Sequence, residues 1–367
     1  MTTPDTATLD RARALHERAI IIDGHCDILM AIADRKMRLG ERVELPDPAT
    51  WQAPQGWAET EETQLYNFSP HTAYFQTMGQ YDIPRFREGG LTSQAMAIFI
   101  DSPHLDRALH RTMEMIAWLR REAEENADFA LVRSVADIER VKAEGITSGF
   151  LTFEGFESLE CDLKLLEVFY DLGLRMASMT HSRRNFFADG TQMGVRTGGL
   201  SKPGQQAVAR MNELGIVIDL AHLNVPGCWE VVERSAAPVL LSHTSPGKYF
   251  PADPTASPLY PDILTDQSRP LLDAIANTGG LVGIIGYNQP DLAAFIDDID
   301  YVVRAVGVDH VGLGTDFFGI ERAPTGFTTM AELPNLTLGL VERGYTDDDI
   351  LKILGGNYLR VFRQVWR

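Results

Sequence analysis

Cysteine is scarce in this chain. Three residues in 367, Cys26, Cys161 and Cys228, share no metal-site spacing, and an odd, sparse set speaks against a disulfide scaffold. They read as reduced thiols. Long apolar runs are missing too: no window approaches the roughly eighteen residues of a spanning helix. Met1 to Leu15 mixes small, acidic and basic residues without an apolar h-region, so the expectation is a cytoplasmic protein without a signal peptide. The last residues, Val361 to Arg367, read as an amphipathic helix end without a lipid-anchor tail. Positive charge is in short supply: 33 Lys and Arg face 51 Asp and Glu, a formal net charge of −18. That field repels phosphate backbones and anionic lipid, so neither nucleic acid nor a membrane surface is an expected partner. Several catalytic formats are absent as well. There is no G-x-S-x-G elbow, no G-x-x-x-x-G-K-[ST] loop and no G-x-G-x-x-G after a strand.

What is present is a repeat of short apolar runs separated by helical periodicity. The runs are Ala19–Asp23, Gln94–Ile100, Gly149–Phe153, Arg175–Thr180, Ile216–Ala221, Pro238–Ser242, Gly280–Gly286 and His310–Thr315. Predicted helices between them include Leu105–Asn126, Leu163–Leu172, Gly204–Leu214, Val225–Ser235 and Gln267–Asn277. Strand and helix in alternation imply a parallel sheet, and eight such units imply a closed α/β barrel of the (β/α)8 TIM type. No linker or composition break divides residues 1–367, so a single domain is expected. The polar stretch 35–84, rich in Pro, Trp, Tyr and Gln, reads as an insertion after the first strand, placed to act as a lid.

Polar residues fall at the ends of these runs. The first leads into His25 and Asp27, the third into Glu154 and the fourth into His181. The fifth leads into His222, the sixth into His243 and the eighth into Asp316. In a (β/α)8 barrel the C-terminal strand ends meet at one mouth, so these side chains should converge. The H-x-D spacing of His25 and Asp27 puts both on one face of an extended segment. Glu154 follows a run that should be buried, where a carboxylate is costly unless paired or bound to a cation. Imidazoles with carboxylates suit Zn²⁺, with Mn²⁺, Fe²⁺ or Co²⁺ as alternatives. Five ligands, His25, Asp27, Glu154, His222 and His243, are too many for one catalytic zinc. They suit two ions about 3.5–4 Å apart that share a carboxylate and a bridging hydroxide. His16, His71, His104, His110 and His310 stand outside the pattern.

With these residues in place, the chain resembles the renal (membrane) dipeptidase family of binuclear zinc metallopeptidases. The resemblance rests on Ile22-Asp23-Gly24-His25-Cys26-Asp27, Phe153-Glu154-Gly155, Thr180-His181-Ser182-Arg183-Arg184-Asn185, Asp219-Leu220-Ala221-His222 and Ser242-His243-Thr244. It continues through Gly312-Leu313-Gly314-Thr315-Asp316 and Leu354-Gly355-Gly356-Asn357-Tyr358, covering nearly everything from Ala19 onward. It implies that His25 and Asp27 bind one zinc, His222 and His243 the other, and that Glu154 bridges. It further implies that His181 meets the substrate carbonyl and developing oxyanion, while Asp316 takes the proton of the attacking water to the leaving amine. A dipeptide or similar small amide is the implied substrate, and a homodimer the expected assembly.

There are departures from the family pattern. Asp262, in Tyr260-Pro261-Asp262, stands where the family carries an Arg that anchors the dipeptide's C-terminal carboxylate. A carboxylate repels another carboxylate. Either the anchor is lost, or Lys248, Arg183, Arg184 or Arg196 supplies it. Tyr260, Asp262, Arg184 and His181 are accordingly the expected substrate contacts. Loss of the anchor would favour a non-peptide amide, lactam or ester without a free C-terminal carboxylate. A non-catalytic metal-binding barrel is a further alternative, one that predicts a missing ligand or proton shuttle. Phe318 replaces an Asp common in the family, and Cys26 an Asn.

Overall fold

Short runs that are apolar on both faces cannot sit at a solvated sheet surface, so they need cover on both sides. The computed structural model describes residues 4–44, 79–193, 198–245, 269–287, 289–320 and 323–367. Among them are nine strands: β1 (Ile22–Asp23), β2 (Ser93–Phe99), β3 (Phe129–Leu131), β4 (Thr147–Glu154), β5 (Leu174–Ser178), β6 (Val217–Asp219), β7 (Val239–Thr244), β8 (Leu281–Ile284) and β9 (Val311–Leu313). All pairings are parallel, and β2 meets both β1 and β4. Eight strands therefore close a barrel, with β3 outside the ring. The eight expected runs each supply one barrel strand.

The ninth strand was not expected. Phe129-Ala130-Leu131 is too short to show a period, and it follows directly on the helix Ala108–Glu125. It pairs with Thr147, Ser148 and Gly149 of β4, below the level at which β5 joins that strand at Leu151. The strand fills an edge that the ring leaves open.

The helices form where the spacing predicts them, and their ends are chemically set. Ser201 and Asn224 cap the helices Lys202–Leu214 and Val225–Arg234 by accepting from Gly204 and Gly227 N–H groups. No helix among the described residues is long and apolar enough to cross a membrane. Of the insertion 35–84, residues 45–78 lie outside the described residues.

One element closes the barrel from within. Tyr358, on the C-terminal helix Asn357–Val365, is fully buried, and its hydroxyl donates to Leu313 O at 2.7 Å. The approach depends on glycine. A Cβ at Gly24 would lie 2.0 Å from the Tyr358 hydroxyl, and one at Gly312 2.7 Å from its ring.

Candidate metal centre

Each functional side chain is delivered by the C-terminal end of a strand. His25 and Asp27 follow β1, Glu154 closes β4, His181 follows β5, and His222 follows β6. His243 lies near the end of β7, and Asp316 follows β9. His222 (φ 62°) and Asp316 (φ 52°) adopt left-handed backbone, which side-chain-bearing residues rarely do and which gathers at functional sites.

The convergence expected of these residues is present. Glu154 Oε1 sits at the middle, 2.9 Å from His222 Nε2, 3.5 Å from His25 Nε2 and 3.6 Å from His243 Nε2. His25 Nε2 is also 3.4 Å from Asp27 Oδ2 and 3.8 Å from Asp316 Oδ1. The Nε2 atoms of His222 and His243 face each other at 2.8 Å. The His181 ring lies 4.2 Å from that of His222 and 4.5 Å from that of Phe99.

Supporting hydrogen bonds turn the ligand atoms inward. Ser242 Oγ lies 2.8 Å from His243 Nδ1, and Ser182 Oγ lies 3.0 Å from His181 Nδ1. With Nδ1 occupied, Nε2 is left to face the centre. Two buried carboxylates without an assigned role tie the strand ends together. Asp219 Oδ1 accepts from the N–H groups of Ala221 and Ser242, the residues immediately before His222 and His243. Asp23 accepts from Thr315 N and Oγ1 and from Gln94 Nε2, which joins β1 to the Asp316 turn and to β2. Tyr81 adds a hydroxyl 2.6 Å from Thr315 Oγ1 that also accepts from Phe317 N. Sequence reasoning overlooked Asp23, Asp219 and Tyr81. For Asp23 and Asp219 the available signal was an acid in an otherwise apolar run, at the last residue of β1 and of β6.

The electrostatics are those of a site built around cations. Burial disfavours a charged His25, yet the carboxylates of Glu154, Asp27 and Asp316 hold its pKa well above the usual value. Burial, with Asp27 beside it, raises Glu154 well above the ordinary carboxylate range. Asp316 is pushed up to about 8, chiefly by burial. Burial drives His222 down to about 3. His181 and His243 fall well below their ordinary value for the same reason, helped by neighbouring imidazoles. Burial likewise keeps the Cys26 thiol protonated.

A metal fits this donor set. Asp27 Oδ1, Glu154 Oε2 and Asp316 Oδ1 are buried acceptors without a hydrogen-bond partner, each costly unless something positive meets it. Three groups of ligand atoms lie mutually within 4.8 Å: His25, Glu154 and His243; Glu154, His181 and His222; and His25, Asp27 and Asp316. Glu154 belongs to two of them. Neutral imidazoles and bare carboxylate oxygens are the ligands that divalent transition ions take.

The expected substrate contacts separate. His181 is in the cluster. Arg184 is more than half exposed and engages Asp189 with both Nε and Nη2. Tyr260 and Asp262, like Lys248 and Arg196, lie outside the described residues. Phe318 is buried.

Comparison with known proteins accords with this geometry. Residues 9–367 match the family model described as membrane dipeptidase, peptidase family M19. A dipeptidase of Aspergillus oryzae, aclJ, is 31% identical over 319 residues, covering 82% of this chain and 72% of that protein. A solved amidohydrolase from Pseudomonas aeruginosa is 26% identical at a TM-score of 0.72, covering 97% of this chain and 99% of its own. The solved dipeptidase AC, a metallopeptidase of family M19, is 25% identical at a TM-score of 0.74, covering 95% and 99%. The chain belongs to the membrane dipeptidase family, peptidase family M19.

Proposed function

We propose that this metal-dependent dipeptide hydrolase cleaves the amide bond of a dipeptide or dipeptide-like small molecule with two divalent ions, zinc by preference, at the barrel mouth. In this reading His25 and Asp27 hold one ion, His222 and His243 the other, and Glu154 is shared. The observation that carries it is the set of buried, unpartnered carboxylate oxygens on Asp27, Glu154 and Asp316 amid imidazoles held neutral by burial. Bound there, such ions supply a water nucleophile at neutral pH and polarise the scissile carbonyl.

The chain's own residues do the rest. His181, with Nδ1 beside Ser182 Oγ, directs its other ring nitrogen toward the cluster, where it can donate to the developing oxyanion. Asp316, with one oxygen unpartnered, accepts the proton of the attacking water and returns it to the leaving amine. The test is hydrolysis of a small dipeptide set by the zinc-loaded wild type and by Asp316→Asn. The variant should retain its metal and lose about 10²- to 10⁴-fold in kcat. A metal-loaded wild type that cleaves no dipeptide would contradict the reading, as would an Asn variant of undiminished rate.

A further inference from the structure

In the proposed mechanism Asp316 takes and returns a proton, yet the oxygen it turns to the cluster is not held by a bond of its own. Oδ1 is buried without a hydrogen-bond partner, 3.8 Å from His25 Nε2. The Asp316 backbone is left-handed at φ 52°, a conformation that a side-chain-bearing residue keeps only when its surroundings enforce it. One restraint comes from outside the ring of strands.

Tyr81 lies just before the helix Ile83–Glu88 and is fully buried. Both of its chain neighbours are fixed. Gln80 Nε2 donates to Thr328 O at 2.8 Å, and Asp82 Oδ1 caps the helix by accepting from Arg85 N at 2.8 Å. The Tyr81 ring packs 6.0 Å from that of Phe317 and 6.2 Å from that of Phe86. Its hydroxyl then meets the residues on both sides of Asp316. It lies 2.6 Å from Thr315 Oγ1 and accepts from Phe317 N at 2.9 Å.

The donors and acceptors fall in one order. Thr315 Oγ1 has a single hydrogen, and Asp23 Oδ2 at 2.8 Å claims it over the Met330 sulfur at 3.9 Å. Thr315 Oγ1 therefore accepts from Tyr81, which spends the one phenolic hydrogen and leaves the phenol oxygen to accept from Phe317 N–H. The chain of bonds ends on Asp23, which also accepts from Thr315 N at 2.7 Å and Gln94 Nε2 at 2.8 Å. His25 O lies near the same hydroxyl at a longer 3.4 Å.

We propose that Tyr81 is a positioning residue for proton transfer: its hydroxyl clamps Thr315 and Phe317 and so holds the Asp316 carboxylate toward the metal centre. The proposal rests on the role of Asp316 in the hydrolytic reading and adds to it a group that acts through Asp316.

The experiment is dipeptide hydrolysis and metal analysis of four zinc-loaded proteins: wild type, Tyr81→Phe, Asp316→Asn and the double variant. Tyr81→Phe keeps the ring and removes only the hydroxyl. It should lower kcat about 10- to 100-fold, with KM changed little and metal content equal to that of wild type. In the Asp316→Asn background the same change should cost less than about twofold, because residues that act as a unit do not add. Should Tyr81→Phe fail to fold, Thr315→Val, which removes the acceptor of the tyrosine proton, goes through the same cycle with the same expectations. An unaltered kcat overturns the proposal. So does a loss of equal size with and without the Asp316 carboxylate, which would make the hydroxyl a general support. A loss of metal overturns it too, by placing the action of the hydroxyl at His25. Wild type that cleaves no dipeptide, or Asp316→Asn of undiminished rate, overturns the hydrolytic reading, and this proposal with it.

Discussion

Metal binding to this site should expel protons, and the geometry says which ones. In the metal-free cluster the carboxylates raise His25 and burial raises Glu154 and Asp316, so the group as a whole holds protons near neutral pH. A divalent ion requires His25 neutral and the carboxylates ionised. With its pKa at about 8, Asp316 alone carries about 0.9 of a proton at pH 7. His25 adds to that, so the release is at least about one proton per chain. The sign follows directly. A carboxyl group whose pKa is higher folded than unfolded binds more protons in the folded state between those two values. For Asp316 that window runs from its usual 3.8 to about 8, so the metal-free protein loses stability as pH rises through it. Metal affinity moves the other way, rising by up to about tenfold per pH unit for each proton displaced. The assay is zinc titration calorimetry near pH 7 in buffers of different ionisation enthalpy, repeated across roughly pH 6 to 8. Heats independent of the buffer, together with affinity independent of pH, would refute the electrostatic account of the cluster.

Two further predictions concern the supports. Ser242→Ala removes the group 2.8 Å from His243 Nδ1 and should weaken metal binding about 10- to 100-fold, read by competition with a chelator; unchanged affinity would mean that packing alone orients the ring. Tyr358→Phe deletes the hydrogen bond to Leu313 O, which still accepts from Gly24 N at 2.9 Å. The loss should therefore stay near 1 kcal/mol in denaturant unfolding of the metal-free protein, and several times that would show that the longer contact of the hydroxyl with Ser242 O, at 3.4 Å, contributes as well.

Much of the architecture was legible because a parallel barrel strand is buried on both faces and so reads as an uninterrupted apolar run. Glu154 shows why the site was legible too. After Phe150-Leu151-Thr152-Phe153, a carboxylate inside a barrel is costly unless paired or bound to a cation, and His222 and His243 point to a metal only in company with it. What escaped has physical reasons as well. β3 is three residues long and is defined by an edge of β4 that no local pattern reveals. Asp23 and Asp219 are also acids in apolar runs, but their partners, Thr315 and Ser242, come from other strands, so their structural role emerges only with the barrel closed. Arg183 and Arg184 are adjacent and chemically equal in the sequence. Only the fold turns one toward Phe99 and the other toward Asp189.

The central claim is that seven side chains at the barrel mouth form one site for two divalent ions that share Glu154. Metal analysis of the purified protein, joined to anomalous diffraction from zinc-soaked crystals, measures this most directly. The account predicts two ions per chain, one between His25 and Asp27 and one between His222 and His243, both in contact with Glu154. A single ion, or two ions bound away from Glu154, would contradict it.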